Sequence, residues 1–224
     1  MVLSYYFIKK QLRGRNMNFT SVDRKRIAKI NSAQYIKLKL HIAYAAFFLL
    51  FICLGAAVSY LFKRITPPVI INDMISFFTP TMSEGKIINV ISSIIYNSID
   101  IFKISIIIII SGFSYISRAI SRTTAAIWST WCGSAFFHYV TTTNRTVSGE
   151  AIILAGIVIA LYCAIFISNC VNAELMAQEF CAHHTSGIIF SSNHFWRYIG
   201  IFLISFGYIL IIYTVYTCLF KLLK

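Results

Sequence analysis

The 224-residue chain is 58% hydrophobic and only 12% charged, with a mean hydropathy of +0.75. A soluble domain carries about 25% charged residues, so the composition excludes a soluble domain and indicates an integral membrane protein. The formal net charge of +13 would also suit nucleic acid, but ten of the twenty lysines and arginines lie in residues 1–39, directly before the first apolar run. The positive-inside rule accounts for basic residues in that place, so we expect membrane lipids and no nucleic acid among the partners.

Residues 1–39 are predicted to form a basic cytoplasmic or interfacial segment, followed by a polytopic membrane domain over residues 40–224. Ser21 can cap a helix, with Asp23 in its first turn, where the helix dipole favours an anion. Basic and apolar residues are interleaved beyond it, as in helices that lie in the headgroup layer, although a solvated tail would look similar. The candidate lipid-contacting basic residues are Arg24, Lys25, Arg26 and Lys29.

Four apolar runs predict transmembrane helices, because about 20 apolar residues cross the 30 Å hydrocarbon core as helix. They cover about residues 40–62, 99–117, 151–171 and 199–220. The second is the embedded end of one long helix expected from Lys86 to Ile116. The predicted fold class is therefore an all-α integral membrane protein with about four transmembrane helices plus amphipathic interfacial helices.

Two segments beside the second span carry polar residues. Residues 65–86 contain all three prolines, so we expect an irregular external loop that partly dips into the interface. Asp100 and Lys103 stand three apart and share a helix face. We expect them to pair near the membrane boundary, where water and headgroups reach them.

Residues 118–149 allow two interpretations. The aromatic-rich stretch around Trp128 and Trp131 could form a fifth span, but serines and threonines dilute it and tryptophans suit an interface. We favour a cytoplasmic helix that lies on the membrane.

Residues 172–198 are predicted to form a polar external loop. Glu179 and His183 would share a helix face and His184 and His194 could join them, but no recognised metal-ligand spacing appears. We therefore predict no metal site. Cys170 and Cys181 flank the start of this loop, and an oxidising compartment could join them in a disulfide.

The distribution of charge favours four spans with both termini cytoplasmic. That topology places fifteen of the twenty basic residues inside, whereas five spans would place thirteen there. The margin is two charges. We expect a multi-pass protein of a bacterial cytoplasmic (inner) membrane.

No phosphate loop, dinucleotide fingerprint, zinc-protease motif or nucleophile elbow is present. We therefore expect no catalytic residue, no cofactor and no enzymatic activity. Small residues allow close helix approach in membranes, which makes Gly156, Gly200 and Gly207 the candidate helix-packing residues.

The sequence thus predicts a non-enzymatic membrane protein that acts through other membrane-protein subunits or through copies of itself. Its layout is similar to that of small inner-membrane components of conjugation or secretion machines, and equally to that of plasmid-type immunity or exclusion proteins. The alternative is a small transporter or channel subunit. Transporters often break their spans with proline or glycine and bind substrate at mid-membrane, and the predicted spans contain no proline and no central charge.

Overall fold

The computed structural model describes residues 21–62, 65–78, 87–143, 149–186 and 192–223. Within these ranges it describes the side chains of residues 34–62, 65–78, 98–99, 101–142, 149–182 and 193–223. Every regular element in these ranges is helical. The helices are α1 (Ser21–Phe62), α2 (Pro68–Ser76), α3 (Ile87–Ser111), α4 (Ser117–Thr143), α5 (Gly149–Ser186) and α6 (Ser192–Leu223). The fold is that of an all-α membrane protein.

Three helices contain segments long and apolar enough to cross a membrane. They are Gln34–Phe62 with 29 residues, Gly149–Ala182 with 34 and Asn193–Leu223 with 31. The predicted count of four is not confirmed: in the second predicted span, the described apolar stretch is the shorter Ile101–Ser111. The helix there ends at Ser111 rather than Ile116, and a turn leads into α4.

The chain divides into two units, Met1–Leu40 and His41–Lys224. The second unit contains the second half of α1 and all of α2 to α6. In that unit α4 packs against α2, α3 and α5, and α3 and α5 both pack against α6.

Helix α2 begins where sequence chemistry favours a helix start. Pro68 occupies the first helical position and Pro67 the N-cap; proline suits the first turn because its missing N–H would have no helical partner there. The predicted irregular loop over residues 65–86 therefore contains a helix. Phe77, directly after α2, packs its ring edge against Trp131, with centroids 5.0 Å apart.

Helices α1 and α4 run side by side in the same direction. A Cβ atom on Gly55 would clash with the carbonyl oxygen of Thr130, and a Cβ on Gly133 would clash with that of Ile52. Further along both helices toward their C-terminal ends, the rings of Tyr60 and Phe137 lie 6.2 Å apart. The two glycines thus let the two backbones touch, as small residues do in membrane helix pairs.

Helix α5 runs antiparallel to α4. Trp128 of α4 contacts Phe166 with ring centroids 5.2 Å apart. Ser121, earlier in α4, faces Cys170, later in α5, with 3.9 Å between its carbonyl oxygen and the sulfur. Helix α4 therefore stands alongside two helices that are long and apolar enough to cross the membrane. The structure has a helix over most of residues 118–149, packed along α1 and α5; that this helix lies on the cytoplasmic surface of the membrane stays a prediction.

Helices α3 and α6 form a second antiparallel pair. The rings of Phe102 and Phe206 lie 5.2 Å apart, and the Tyr198 hydroxyl donates a 2.9 Å hydrogen bond to the carbonyl oxygen of Ile109. Helices α1, α4 and α6 thus run one way through the bundle, and α3 and α5 run the other way.

The predicted polar loop over residues 172–198 is largely helical, because α5 continues to Ser186 and α6 begins at Ser192. This overturns the proposed disulfide. Cys170 and Cys181 stand eleven residues apart on one helix, a rise of about 16 Å, whereas bridged Cα atoms lie about 4.4–6.8 Å apart. Neither cysteine forms a disulfide in the structure.

Candidate functional site

Glu174 is a buried carboxylate at the point where α1, α4 and α5 meet. Its side chain is only 3% exposed. The Tyr44 hydroxyl donates to one carboxylate oxygen at 3.1 Å, and the Arg118 guanidinium contacts the other through two nitrogens, at 2.7 Å and 2.6 Å. A buried charge persists only when it is paired and hydrogen-bonded, and Glu174 satisfies both conditions.

A group of serines joins the same end of the bundle. Ser111, at the end of α3, lies 3.1 Å from the Ser121 hydroxyl and 3.5 Å from the Ser117 hydroxyl, both on α4. Ser117 in turn donates to the carbonyl oxygen of Ala173 on α5 at 3.4 Å. Together with Glu174, these contacts tie four helices together at one level.

The Glu174 cluster has the chemistry of a structural tie. Among the residues that the structure describes, the hydroxyl groups of these serines contact carbonyl and hydroxyl oxygens. Within the described residues, no group of three or more histidines, cysteines, aspartates or glutamates is placed to hold a metal ion. The cluster holds a charge at a fixed place through contacts from α1 and α4.

A cavity of about 890 Å³ opens between α2, α3, α4 and α6. It combines aliphatic and aromatic walls with two residues of opposite charge, Asp73 and Lys103. Its lining comprises Asp73, Ser76, Phe77, Ile99, Lys103, Ile104, Ile107, Thr124, Ile127, Trp128, Trp131 and Tyr213. Small-molecule sites usually occupy about 300–1,000 Å³ and carry a few polar groups on an apolar wall. The cavity therefore has the size and composition of a ligand site.

The three predicted helix-packing glycines, Gly156, Gly200 and Gly207, make no close backbone contact between described helices of the chain. In the part of the chain that the structure describes, a Cβ atom at Gly200 or Gly207 would meet nothing within 4 Å. At Gly156 the nearest atom is Cζ of Phe136, at 3.8 Å. The intimate contacts between helices are made instead by Gly55 and Gly133, and the Ser134 hydroxyl adds a 3.0 Å hydrogen bond to the carbonyl oxygen of Gly55.

Among the remaining residues that the sequence analysis singled out, the structure shows Glu179 and His194 in contact with each other. Arg24, Lys25, Arg26 and Lys29 lie on α1, and their side chains fall outside the described residues, as do those of Asp100, His183 and His184. Glu179 and His194 do meet: Nδ1 of His194 lies 3.0 Å from Oε2 of Glu179, and both side chains are about half exposed. This pair joins α5 to α6.

Sequence reasoning missed Glu174, Arg118 and Tyr44 as a group. One local signal was present, since residues 157–186 contain neither glycine nor proline, and a helix through the third span had no reason to stop at residue 171. That continuation places Glu174 on the same helix as the span. Its pairing with Arg118 required the directions of α4 and α5, which no local pattern gives.

Comparison of the chain with known protein families, with curated proteins and with solved structures gives no match.

Proposed function

We propose that this chain is a non-enzymatic, polytopic membrane protein that acts through protein partners in the membrane, either other subunits or copies of itself. The place we assign it is a bacterial envelope assembly in the cytoplasmic membrane, such as a conjugation or secretion apparatus, or the role of a plasmid-type immunity or exclusion protein. The layout of the sequence supports that setting. The observation that carries the proposal is the open face of α6 at Gly200 and Gly207.

Gly200 and Gly207 are seven residues apart, close to two helical turns, so they share one face of α6. Among the described residues, no atom of a neighbouring element lies within 4 Å of a Cβ built at either glycine. At Gly55 and Gly133 the same residue type brings two helix backbones of this chain into contact. A helix from a partner subunit could approach α6 equally closely at Gly200 and Gly207.

The surroundings of the two glycines suit an apolar helix. Leu203 and Ile204 are more than 60% exposed. Beside this face, an apolar groove of about 410 Å³ runs between α5 and α6 and includes Ile204 and Tyr208 in its lining. In lipid, helices associate through close packing rather than through a hydrophobic driving force, and a grooved surface with glycines offers such packing.

A second candidate function is a small transporter or channel subunit, and the cavity with Asp73 and Lys103 supports it. Ionisable residues at membrane depth usually face a bundle interior or a cavity on a substrate path. The two candidate functions depend on different residues. Transport would need the residues that line the cavity, whereas partner binding would need those on the face of α6.

The directions of the helices support five membrane passages rather than four. Helices α1, α3, α4, α5 and α6 alternate in direction, and α4 stands between helices that can span the bilayer. We therefore revise the expected topology: the start of the bundle at His41 and the end of α6 lie on opposite sides of the membrane. The basic segment at residues 1–39 keeps the first side cytoplasmic.

The double substitution Gly200→Leu and Gly207→Leu tests the interaction proposal. We expect the variant to insert normally but to lose its larger species on a native gel in mild detergent and migrate as a single chain, because leucine fills the approach surface. Gly149→Leu is the matched control, since Gly149 also has open space beside it but lies away from the α6 face.

A triple change of His183, His184 and His194 to alanine should leave the native size unchanged. An unchanged size in the glycine variant, together with loss of assembly in the histidine variant, would overturn the proposal and move attention to the junction of α5 and α6.

A further inference from the structure

The cavity between α2, α3, α4 and α6 lies part-way along α3 and α4 and is open at one side, since Ile107 and Ile127 in its lining are exposed. Lys103 stands eight residues before the end of α3 at Ser111, a rise of about 12 Å, and Trp131 stands fourteen residues after the start of α4 at Ser117, about 21 Å. The end of α3 and the start of α4 lie at the same level. With α3 and α4 crossing about 30 Å of hydrocarbon, as proposed above, the cavity occupies the middle of the membrane.

Two charges of opposite sign face this space. Asp73 is on α2 and Lys103 is on α3, and both side chains are exposed within the chain. Ionisable residues at membrane depth are rare, because leaving them in lipid is costly, and they mark binding sites or ion paths. A zwitterionic ligand can place its anionic group near Lys103 and its cationic group near Asp73.

The cavity also has an aromatic wall. Trp128 and Trp131 stack with ring centroids 5.2 Å apart and planes inclined by 19°, and Phe77 meets Trp131 edge-on. Indole faces attract organic cations, including the ammonium groups of lipid headgroups. The remaining wall is largely aliphatic, with Ile104 and Ile107 among its residues, and it suits a hydrocarbon chain.

We propose that this cavity binds one zwitterionic phospholipid, with its ammonium group toward Asp73 and the tryptophans, its phosphate toward Lys103, and part of an acyl chain along the isoleucines. The volume of about 890 Å³ accommodates a headgroup and part of one chain, and not a whole lipid. The site goes beyond the partner surface on α6, and the two share no residue.

The three tryptophans of the chain provide the measurement. In a Trp196→Phe background, Trp128 and Trp131 are the remaining indoles, and both line the cavity. Titration of the full-length protein in detergent with phosphatidylethanolamine brominated on its acyl chains should quench their fluorescence with a saturable component, and unlabelled phosphatidylethanolamine should reverse it.

Variants of the two charged residues test where the lipid binds. Asp73→Asn and Lys103→Gln should each weaken the saturable component by about tenfold or more, since each removes one charge-assisted contact. Lys103→Arg keeps the charge and should bind as the parent does. It also keeps the test valid if Lys103→Gln does not fold. Glu150→Gln and Lys221→Gln remove exposed charges outside the cavity and serve as matched controls.

Two results would overturn the proposal. The first is quenching that never saturates, or that is the same in the Asp73 and Lys103 variants as in the Glu150 and Lys221 controls, because this describes lipid around the bundle rather than in a site. The second is displacement by free phosphoethanolamine as effective as displacement by the lipid, because the acyl chain would then contribute nothing. Loss of the assembly on α6 would leave these results unchanged, so failure of either proposal is distinguishable from failure of the other.

Discussion

Arg118 and Glu174 form a salt bridge between partners in very different surroundings. The Arg118 side chain is 59% exposed and that of Glu174 only 3%. Arginine can hold its charged end in water or in the headgroup layer if its partner is removed. The carboxylate has no such freedom, because it lies inside the junction of α1, α4 and α5.

We therefore predict that the two partners differ in the cost of their removal. Arg118→Gln leaves a buried carboxylate without its counter-charge and should lower the free energy of unfolding by about 3–5 kcal/mol. Glu174→Gln keeps an acceptor for Tyr44 and leaves an exposed arginine, so we expect the smaller loss of about 1–2 kcal/mol. Denaturant unfolding in mild detergent measures both.

Arg197→Gln is the control for these variants, because Arg197 is an exposed arginine on α6, away from the cluster. It should change the unfolding free energy by less than about 0.5 kcal/mol. Equal losses for Arg118→Gln and Glu174→Gln would contradict the asymmetry and show that the carboxylate is hydrated in the membrane.

At the scale of the helices, the sequence predicted which segments form helices better than it predicted where those helices end. Three of the predicted spans, over residues 40–62, 151–171 and 199–220, lie within helices that can cross a membrane. Their runs of apolar residues are a strong local signal. The ends were less predictable, since helix α5 runs on to Ser186 through glutamates and histidines that look like a loop by composition alone.

Helix α4 shows why composition leaves two interpretations of residues 118–149 open. Four of its serines are buried rather than solvated, and they find hydrogen-bond partners inside the bundle. Ser129 donates to the carbonyl oxygen of Ala125 at 2.6 Å, and Ser134 donates to that of Gly55 on α1. A helix partly covered by its neighbours needs less apolar surface than one surrounded by lipid, so its hydropathy does not decide whether it crosses the membrane.

The contact between α1 and α4 leads to a prediction for single glycines. Gly55→Ala and Gly133→Ala each place a methyl group against a backbone carbonyl of the other helix, so the helices must separate. We expect each change to destabilise the protein by about 1–3 kcal/mol, the usual cost of overpacking, measured by thermal or denaturant unfolding in detergent.

Gly156→Ala is the matched control on α5. Its new methyl group would meet Cζ of Phe136 at an ordinary 3.8 Å, and alanine also favours the helix. We expect no loss of stability there. If Gly55→Ala proved as stable as Gly156→Ala, the two backbones could not be in contact.

At the scale of the whole molecule, the charge count and the packing of the helices point to different topologies. Four passages place fifteen of the twenty basic residues on the cytoplasmic side and five place thirteen. Orientation depends mainly on basic residues close to the first span, and residues 1–39 are cytoplasmic in both topologies. A difference of two charges near the later helices is a weak determinant, whereas α4 packs along helices that can cross the bilayer.

Reporter fusions decide between the two topologies. With five passages, we expect a fusion after Thr142 to read as external, one after Ser192 as cytoplasmic and one after Leu223 as external. Four passages predict the reverse at all three sites, and a fusion after Glu84 is external in both and serves as the control. A cytoplasmic reading at both Thr142 and Leu223 would return α4 to the membrane surface. The cavity would then lie at the interface rather than at mid-membrane, since α4 forms one of its walls.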